Sequence, residues 1–208
     1  MSEAVLLIGA SGLAREVLAS GLERAAGILD DDVALHGTTV GGVPVLGGIE
    51  AARGRSERLL VCIGASRSRR DVVGRLAALG VARGRFATYV AGSARIGTTS
   101  VVGAGSILLD GVVVTADASI GDHVVVMPGC TVTHDGVLED FATLAAGVAL
   151  GGGVAVGEAA YLGMLSSVRQ GVRIGTEATI GMAAAVLRDV PAGETWVGVP
   201  ARALEVRA

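Results

Sequence analysis

The chain contains only three histidines, and one of them is followed directly by an aspartate. His134 and Asp135 form the centre of the segment TVTHDG, which interrupts a run of small and apolar residues. A neutral imidazole can accept a proton near neutral pH, and an adjacent carboxylate can fix its tautomer. The pair therefore predicts a general base, with an ordinary surface histidine as the alternative.

A second group of residues, near the N-terminus, has the pattern of an anion-binding turn. The segment GASG lies between a predicted strand and a predicted helix, where backbone N–H groups and the helix dipole favour negative charge. Asp30 follows 18 residues after the last glycine, near the spacing of an acid that accepts a ribose hydroxyl. We expect a nucleotide-type ligand, and the alternative is a tight turn followed by a solvated acidic loop. The residues predicted to contact the ligand are Gly9, Ala10, Ser11, Gly12, Asp30, Asp31 and Gly64.

Three arginines, Arg67, Arg69 and Arg70, follow the third predicted strand. Their guanidinium groups can face the phosphates of the same ligand, and Arg69 is the predicted contact. The alternative is that all three form the charged start of an ordinary surface helix.

The first 82 residues alternate predicted strands and helices. Apolar runs near residues 4–8, 27–29 and 59–63 indicate buried strands, and helically spaced apolar residues indicate helices after residues 12 and 69. This alternation predicts a parallel sheet with helices on its faces. We expect a Rossmann-like α/β domain over residues 1–82, followed by a second domain over residues 83–208.

The second domain is organised by a six-residue repeat. Every sixth residue from Val90 to Val186 is aliphatic, the residue two positions earlier is small, and glycine often follows directly. A short strand and a tight turn use six residues, and three such units close a triangular coil, whereas six is not a helical period. We interpret the glycines as supplying turn geometry. The repeat predicts a left-handed parallel β-helix.

Coils of 18 residues place chemically distinct groups above the predicted base. Gly152, Gln170 and Arg188 follow His134 at intervals of 18 and are expected to form a column with it. An extended ligand with a reactive end and a phosphorylated far end would suit this column. His123 is expected, like His134, at a corner or on an outer face, outside the prism.

Charge and composition argue against several classes of function. The net charge of −3 gives no electrostatic footprint for nucleic acid. Cys62 and Cys130 lie in apolar segments, which predicts buried core thiols instead of a disulfide framework or a zinc site. The start MSEAVLLIGASG has neither the basic region of a signal peptide nor the length of a membrane span. We expect a cytoplasmic protein without a membrane or nucleic-acid partner.

With these motifs in place, the chain resembles the sialic acid O-acetyltransferases and the bacillosamine-type amino-sugar N-acetyltransferases. That family joins a Rossmann-like domain to a hexapeptide-repeat β-helix. The resemblance covers nearly the whole chain, and the matching segments are, in order, LLIGASGLAREV, ILDDD, GTTVGGVPVLG, IGDHVVVMPGCTVTHDGVLEDFATLAAGVALGGGVAVGE and DVPAGETWVGVPAR.

The resemblance implies transfer of an acetyl group from acetyl-CoA to a nucleotide-linked amino sugar. It also implies a homotrimer with CoA in grooves between neighbouring β-helices, and no metal ion. The general base falls on His134 and its orienting partner on Asp135, while the second histidine common in the family is replaced by Thr143. The implied cofactor contacts are Thr143, Gly152, Gly163, Gln170, Arg188 and Arg202.

Three alternatives remain at this point. O-acetylation of a sialic-acid-like sugar or another small metabolite would use the same base. A γ-type carbonic anhydrase needs three histidines around zinc, and the repeats contain only His123 and His134. A trimeric scaffold without catalysis would leave the pair of His134 and Asp135 without a role.

Overall fold

The computed structural model describes residues 4–204, which form a mostly parallel sheet with two helices and then a long β-helix. The strands and helices of the N-terminal part are β1 (Val5–Ile8), α1 (Gly12–Ala19), β2 (Ala25–Leu29), β3 (Thr39–Val40), β4 (Val43–Gly47), β5 (Arg58–Val61) and α2 (Ser66–Ala78). The strands form one sheet in the order β3-β4-β2-β1-β5. Strands β4, β2, β1 and β5 run parallel, and β3 is antiparallel to β4. Short 3₁₀ turns lie at Val33–Leu35, Ile49–Gly54 and Arg83–Arg85.

The hairpin β3–β4 extends the sheet beyond the strands that the sequence pattern predicted. Its two connecting residues, Gly41 and Gly42, have φ values of 57° and 80°. Two successive left-handed residues suit the two-residue turn whose twist matches that of paired strands. The glycine-rich stretch before Ile49 therefore contains a strand pair.

The repeat region folds into a parallel β-helix with three faces. Face 1 contains β7 (Arg95–Ile96), β10 (Val113–Val114), β13 (Thr131–Val132), β16 (Ala149–Leu150), β19 (Ser167–Val168) and β22 (Ala185–Val186). Face 2 contains β8 (Val101–Val102), β11 (Ser119–Ile120), β14 (Val137–Leu138), β17 (Ala155–Val156) and β20 (Arg173–Ile174). Face 3 contains β6 (Tyr89–Val90), β9 (Ile107–Leu108), β12 (Val125–Val126), β15 (Thr143–Leu144), β18 (Tyr161–Leu162), β21 (Thr179–Ile180), β23 (Thr195–Val197) and the antiparallel β24 (Arg202–Ala203).

The predicted six-residue ladder is confirmed from end to end, since each of its aliphatic residues ends one of these short strands. From Leu108 onward the ladder residues are buried in one continuous core, which Trp196 closes at the far end. At the first coil no earlier coil covers the prism, and Val90 remains 40% exposed. Stacked coils thus bury what a single coil cannot.

The glycines that directly follow the aliphatic residues do not supply the turn geometry that was expected of them. The left-handed corner position lies two residues further on. It is occupied by other glycines, such as Gly153, and by non-glycine residues such as Asp135 and Phe141, at φ 59° and 61°. A Cβ added at Gly157 or Gly163 would lie 2.5 Å or 2.7 Å from a backbone nitrogen of the next coil. These glycines are therefore required by the close approach of successive coils.

The N-terminal sheet packs on face 3 and on the edge between faces 2 and 3. Leu7, Leu60 and Cys62 share one apolar cluster with Ile107 and Val125, whose side chains cover face 3 from outside. The connection between the two parts is short, because Phe86 still pairs with Leu59 of β5 and β6 begins at Tyr89. The edge between faces 1 and 2, called edge 1/2 below, lies on the opposite side of the prism.

Candidate active site

His134 and Asp135 lie on edge 1/2, where the chain turns from β13 to β14. The Nδ1 atom of His134 is 2.7 Å from Oδ2 of Asp135, and both side chains are 66% exposed. The backbone of this corner is fixed by the coils around it, since the Asp135 N–H donates to the Ala116 carbonyl and the His134 carbonyl accepts from Gly153. A carboxylate only accepts, so Nδ1 carries the proton and Nε2 is left as the basic nitrogen.

The basic nitrogen faces the coil above. A Cβ built on Gly152 would lie 2.5 Å from both Cε1 and Nε2 of His134, so the imidazole occupies the space of a missing side chain. Within residues 4–204, the Gly152 N–H has no protein acceptor. An acceptor-free N–H beside a general base can stabilise an oxyanion that forms there.

The predicted column above His134 is confirmed as a stack, because β13, β16, β19 and β22 pair in register along face 1. Gln170 and Arg188 are exposed on edge 1/2. The Arg188 guanidinium lies 5.1 Å from the centroid of the Trp196 ring, a cation–π contact at the far end of the column.

Below His134, edge 1/2 contains a pocket that the sequence analysis did not identify. Its volume is about 520 Å³, and it lies one to two coils before the histidine. Arg95 is exposed there and forms no ion pair with the described residues. The sequence signal for this pocket is a set of polar residues at the same corner of two successive coils. Its polar lining consists of Arg95, Thr98, Thr99 and Thr115.

Three predicted cofactor contacts, Thr143, Gly163 and Arg202, do not lie on edge 1/2 within one chain. Thr143 is 3% exposed on face 3, and its hydroxyl bonds to Ser66 and to the Gly64 carbonyl. A cofactor contact by Thr143 is therefore contradicted, because the N-terminal part covers the side chain. Gly163 follows β18 at the edge between faces 3 and 1, and Arg202 lies exposed in β24.

The predicted nucleotide contacts come together at the carboxyl edge of the N-terminal sheet. Ser11 caps α1 by accepting from the Leu13 N–H at 3.1 Å, and its hydroxyl donates to the Cys62 carbonyl at 2.6 Å. The Ala10 N–H donates to Oδ2 of Asp30 at 2.7 Å. The turn at residues 9–12 is thereby tied to the ends of β2 and β5, with Gly12 and Gly64 exposed beside it.

Asp30 and Asp31, the two predicted contacts directly after β2, both accept hydrogen bonds from the protein. Asp30 also accepts from the Asp32 N–H at 2.8 Å, so its carboxylate shapes the turn. Asp31 accepts from Arg75 at 2.7 Å and from the Ile49 N–H at 3.0 Å. The Arg75 hydrogen bond, followed by that from Ile49, holds the pKa of Asp31 below its ordinary value.

The predicted substrate contact at Arg69 is wrong. Its side chain has no exposed surface, and every nitrogen of its guanidinium donates to oxygen atoms of the protein. Burial lowers its pKa to about 9. Arg67 and Arg70 pair with Glu177, and Arg70 also with Glu158, which matches the alternative of a charged helix start.

His123 lies at the corner between β11 and β12, outside the prism as expected, but it is only 4% exposed because the N-terminal part covers this corner. Its ring stacks on Phe141 at 5.3 Å and meets Phe86 edge-on at 4.5 Å. Desolvation lowers its pKa to about 4. Phe141 follows His123 by 18 residues, which places it one coil above, and this spacing was the available sequence signal.

Residues 4–204 contain no group of three or more histidine, cysteine or acidic side chains able to hold a metal ion. In the same range no helix has the length and apolar character needed to cross a membrane. The candidate site thus consists of a histidine–carboxylate pair on a β-helix and a backbone-rich turn on a parallel sheet. Such a combination defines the class of acyltransferases built on hexapeptide repeats.

No protein-family model matches the chain, and no curated protein matches it significantly. Solved structures do match along its whole length. PerB from Caulobacter crescentus in complex with CoA and GDP-perosamine is 33% identical, with a TM-score of 0.88 and 99% of each chain covered. A histidine-to-alanine mutant of GDP-perosamine N-acetyltransferase from the same organism, also with CoA and GDP-perosamine, is 31% identical, with a TM-score of 0.89 and 99% of each chain covered.

The acetyltransferase domain of PglB from Neisseria gonorrhoeae, in complex with acetyl coenzyme A, is 30% identical. Its TM-score is 0.88, and the alignment covers 98% of this chain and 100% of that one. The chain belongs to the family of nucleotide-amino-sugar N-acetyltransferases.

Proposed function

We propose that this protein transfers the acetyl group of acetyl-CoA to the amino group of a nucleotide-linked amino sugar, with His134 as the general base. The observation that carries the proposal is the placement of His134 Nε2 beside Gly152, with Nδ1 held by Asp135 at 2.7 Å. A related enzyme was crystallised with CoA and GDP-perosamine after substitution of a histidine, which supports this assignment.

In the proposed reaction the amine nitrogen attacks the thioester carbonyl while Nε2 of His134 takes its proton. Asp135 keeps the ring in the tautomer that leaves Nε2 basic and stabilises the imidazolium that forms. The Gly152 N–H, free of protein acceptors within residues 4–204, donates to the developing oxyanion. Collapse of the intermediate breaks the C–S bond and forms the amide. The thiolate takes the proton from the His134 imidazolium and leaves as CoA, which restores the neutral base.

Acetyl-CoA is proposed to run from His134 toward Gln170 and Arg188, whose stacking along edge 1/2 leaves their side chains exposed. The acceptor sugar then approaches from the other direction, where the pocket of about 520 Å³ provides room. Its nucleotide is assigned to the turn at residues 9–12 and to Asp30, at the carboxyl edge of a parallel sheet where α/β folds bind such ligands.

We further propose that the active protein is a homotrimer whose sites combine two chains. The N-terminal sheet covers face 3, whereas His134 lies on edge 1/2, across the prism. Within one chain, the turn at residues 9–12, called the nucleotide turn below, and His134 therefore lie on opposite sides of the β-helix. A complete site needs the nucleotide turn of one chain and the His134 of a neighbouring chain. The N-terminal part is taken as Rossmann-like and the β-helix as left-handed, in keeping with the parallel order β4-β2-β1-β5 and the hexapeptide repeat.

The function is tested by measuring thiol release from acetyl-CoA with GDP-, UDP- and dTDP-linked amino sugars, using His134→Ala and His134→Asn as variants. We expect transfer to at least one acceptor and a loss of about 100-fold or more in both variants. Retention of full activity in either variant would refute the assignment of the base. Transfer to a hydroxyl, detected as an alkali-labile ester product, would favour the O-acetyltransferase alternative.

The shared site is tested by complementation. His134→Ala lacks the base and Asp30→Ala lacks the acid that shapes the nucleotide turn, so each homogeneous oligomer should be inactive. Co-expressed chains should regain activity, because some sites then combine an intact turn with an intact base from another chain. Light scattering should give three chains per particle. Persistent inactivity of mixed oligomers of intact size would contradict the two-chain site.

A further inference from the structure

Arg69 makes an unusual connection between the two parts of the chain. It lies in the first turns of α2, and its side chain is 0% exposed. On the N-terminal side, Nη1 donates to the carbonyls of Ile63 and Gly64 at 2.6 Å and 3.0 Å. On the β-helix side, the guanidinium donates to the carbonyls of His123 (2.8 Å), Phe141 (2.7 Å) and Ala142 (3.2 Å) and to Oγ1 of Thr143 (2.8 Å).

The two carbonyls that accept from Nη1 of Arg69, those of Ile63 and Gly64, lie beside the turn at residues 9–12. Gly64 lies three residues after the end of β5, and a Cβ at Gly9 would lie 3.0 Å from Cγ1 of Ile63. The Ser11 hydroxyl donates to the carbonyl of Cys62 in the same segment. Any displacement of residues 62–64 therefore moves the turn at residues 9–12.

A planar guanidinium suits this junction for a geometrical reason. Its five N–H groups point in fixed directions, so bonds to two separate backbone segments determine their relative placement. A second tie lies alongside, since Ser66 and Thr143 share a hydrogen bond of 2.8 Å between their hydroxyls. The neighbouring Arg70 is different, because its ion pairs with Glu158 and Glu177 are partly exposed and constrain geometry weakly.

We infer that Arg69 is a positioning residue for acetyl transfer. It acts by fixing the nucleotide turn relative to the β-helix, and hence the acceptor amine relative to the base. The inference rests on the proposed function, because the positioned group is the acceptor bound at the turn. Acetyl-CoA binding on edge 1/2 is remote from this junction and does not depend on it.

The test compares Arg69→Lys with Arg70→Gln as the matched control on the same helix. A lysine keeps the charge but offers three donors from one atom in place of the planar fork. We expect Arg69→Lys to lower kcat with the acceptor amine by about 100-fold, the scale of an ångström-sized misplacement. The KM for acetyl-CoA should change less than about threefold, and Arg70→Gln should behave as the wild type.

Two further measurements separate positioning from general stability. Circular dichroism should show Arg69→Lys folded at the assay temperature, and hydrogen exchange should rise at residues 9–12 and 62–66 but not on edge 1/2. Thr143→Val, which removes one acceptor at nearly constant volume, should show the same pattern to a smaller degree.

The inference is overturned if Arg69→Lys keeps kcat within threefold of the wild type, or if it weakens acetyl-CoA and acceptor kinetics equally. Failure of the proposed function gives a different result, namely a wild-type protein that transfers no acetyl group or does not need His134. An active wild type with an indifferent Arg69→Lys variant therefore removes this inference alone.

Discussion

The imidazole of His134 lies over the α-carbon of Gly152, in the volume that a side chain at that position would fill. A Cβ on Gly152 would be 2.5 Å from Nε2, well inside contact distance. Because the imidazole is the exposed end of a side chain, it can rotate away at little cost to the fold. Gly152 therefore decides where the basic nitrogen points.

The variant Gly152→Ala should lose activity without losing stability. We expect kcat to fall by about 100-fold because the base is displaced by an ångström or more, while the melting temperature changes little. Gly92→Ala is the matched control, since a Cβ there meets nothing within 4 Å. Steady-state kinetics and calorimetric melting measure the two effects, and an unchanged kcat would show that the ring position is not critical.

Asp135→Asn should separate orientation of the base from stability. The residue occupies a left-handed corner at φ 59°, a conformation that asparagine tolerates, so the backbone should persist. Loss of the charged acceptor at Nδ1 should lower kcat by about 10- to 100-fold, less than in buried triads, because this pair is 66% exposed. The unfolding free energy should change by no more than about 1 kcal/mol. Urea unfolding and kinetics on the same preparation measure both, and a variant with wild-type kcat would exclude an orienting role.

Acid should weaken the junction between the two parts through His123. The pKa of this buried imidazole is lowered from 6.5 to about 4, so the unfolded chain takes up its proton at a higher pH than the folded chain. Stability from this residue is complete above pH 6.5 and falls as the pH drops toward about 4, by up to about 3 kcal/mol. Urea unfolding at a series of pH values measures the slope.

The control for this effect is His123→Asn, which does not titrate and tolerates the φ of 55° at this corner. The variant should be less stable than the wild type at pH 7 because it loses the contacts with Phe86 and Phe141. The difference between the two proteins should shrink toward pH 4. A constant difference across this range would contradict a neutral, buried His123.

The two thiols should be unreactive in the folded protein. Cys62 and Cys130 are fully buried, which confirms the expectation from their apolar segments. Desolvation raises the pKa of both, that of Cys130 to about 11, so little thiolate forms at pH 8. Ellman's reagent should titrate no thiol in the native protein and two per chain in guanidinium. Ser119→Cys supplies an exposed thiol as the positive control, and rapid native labelling of the wild type would contradict this packing.

The sequence by itself determined the β-helix, its register and the residues on each edge. A strict repeat of six has only one stacking solution, so counting in eighteens from His134 was enough to locate Gly152, Gln170 and Arg188 above it. The pair of His134 and Asp135 was equally accessible, because adjacent residues at a corner remain adjacent in space. The cluster of Ala10, Ser11 and Asp30 followed from the rule that parallel strands bring their carboxyl ends to one edge.

Only the tertiary structure decided what lies between the two parts of the chain. No local pattern distinguishes Arg69, which is buried with carbonyl partners up to 73 residues away in sequence, from Arg70, which forms partly exposed ion pairs one residue later. Thr143 and His123 changed from exposed repeat positions to buried junction residues because the N-terminal sheet packs on face 3 and its neighbouring edge. A repeat fixes which side of the prism a residue occupies, but what covers that side depends on long-range packing.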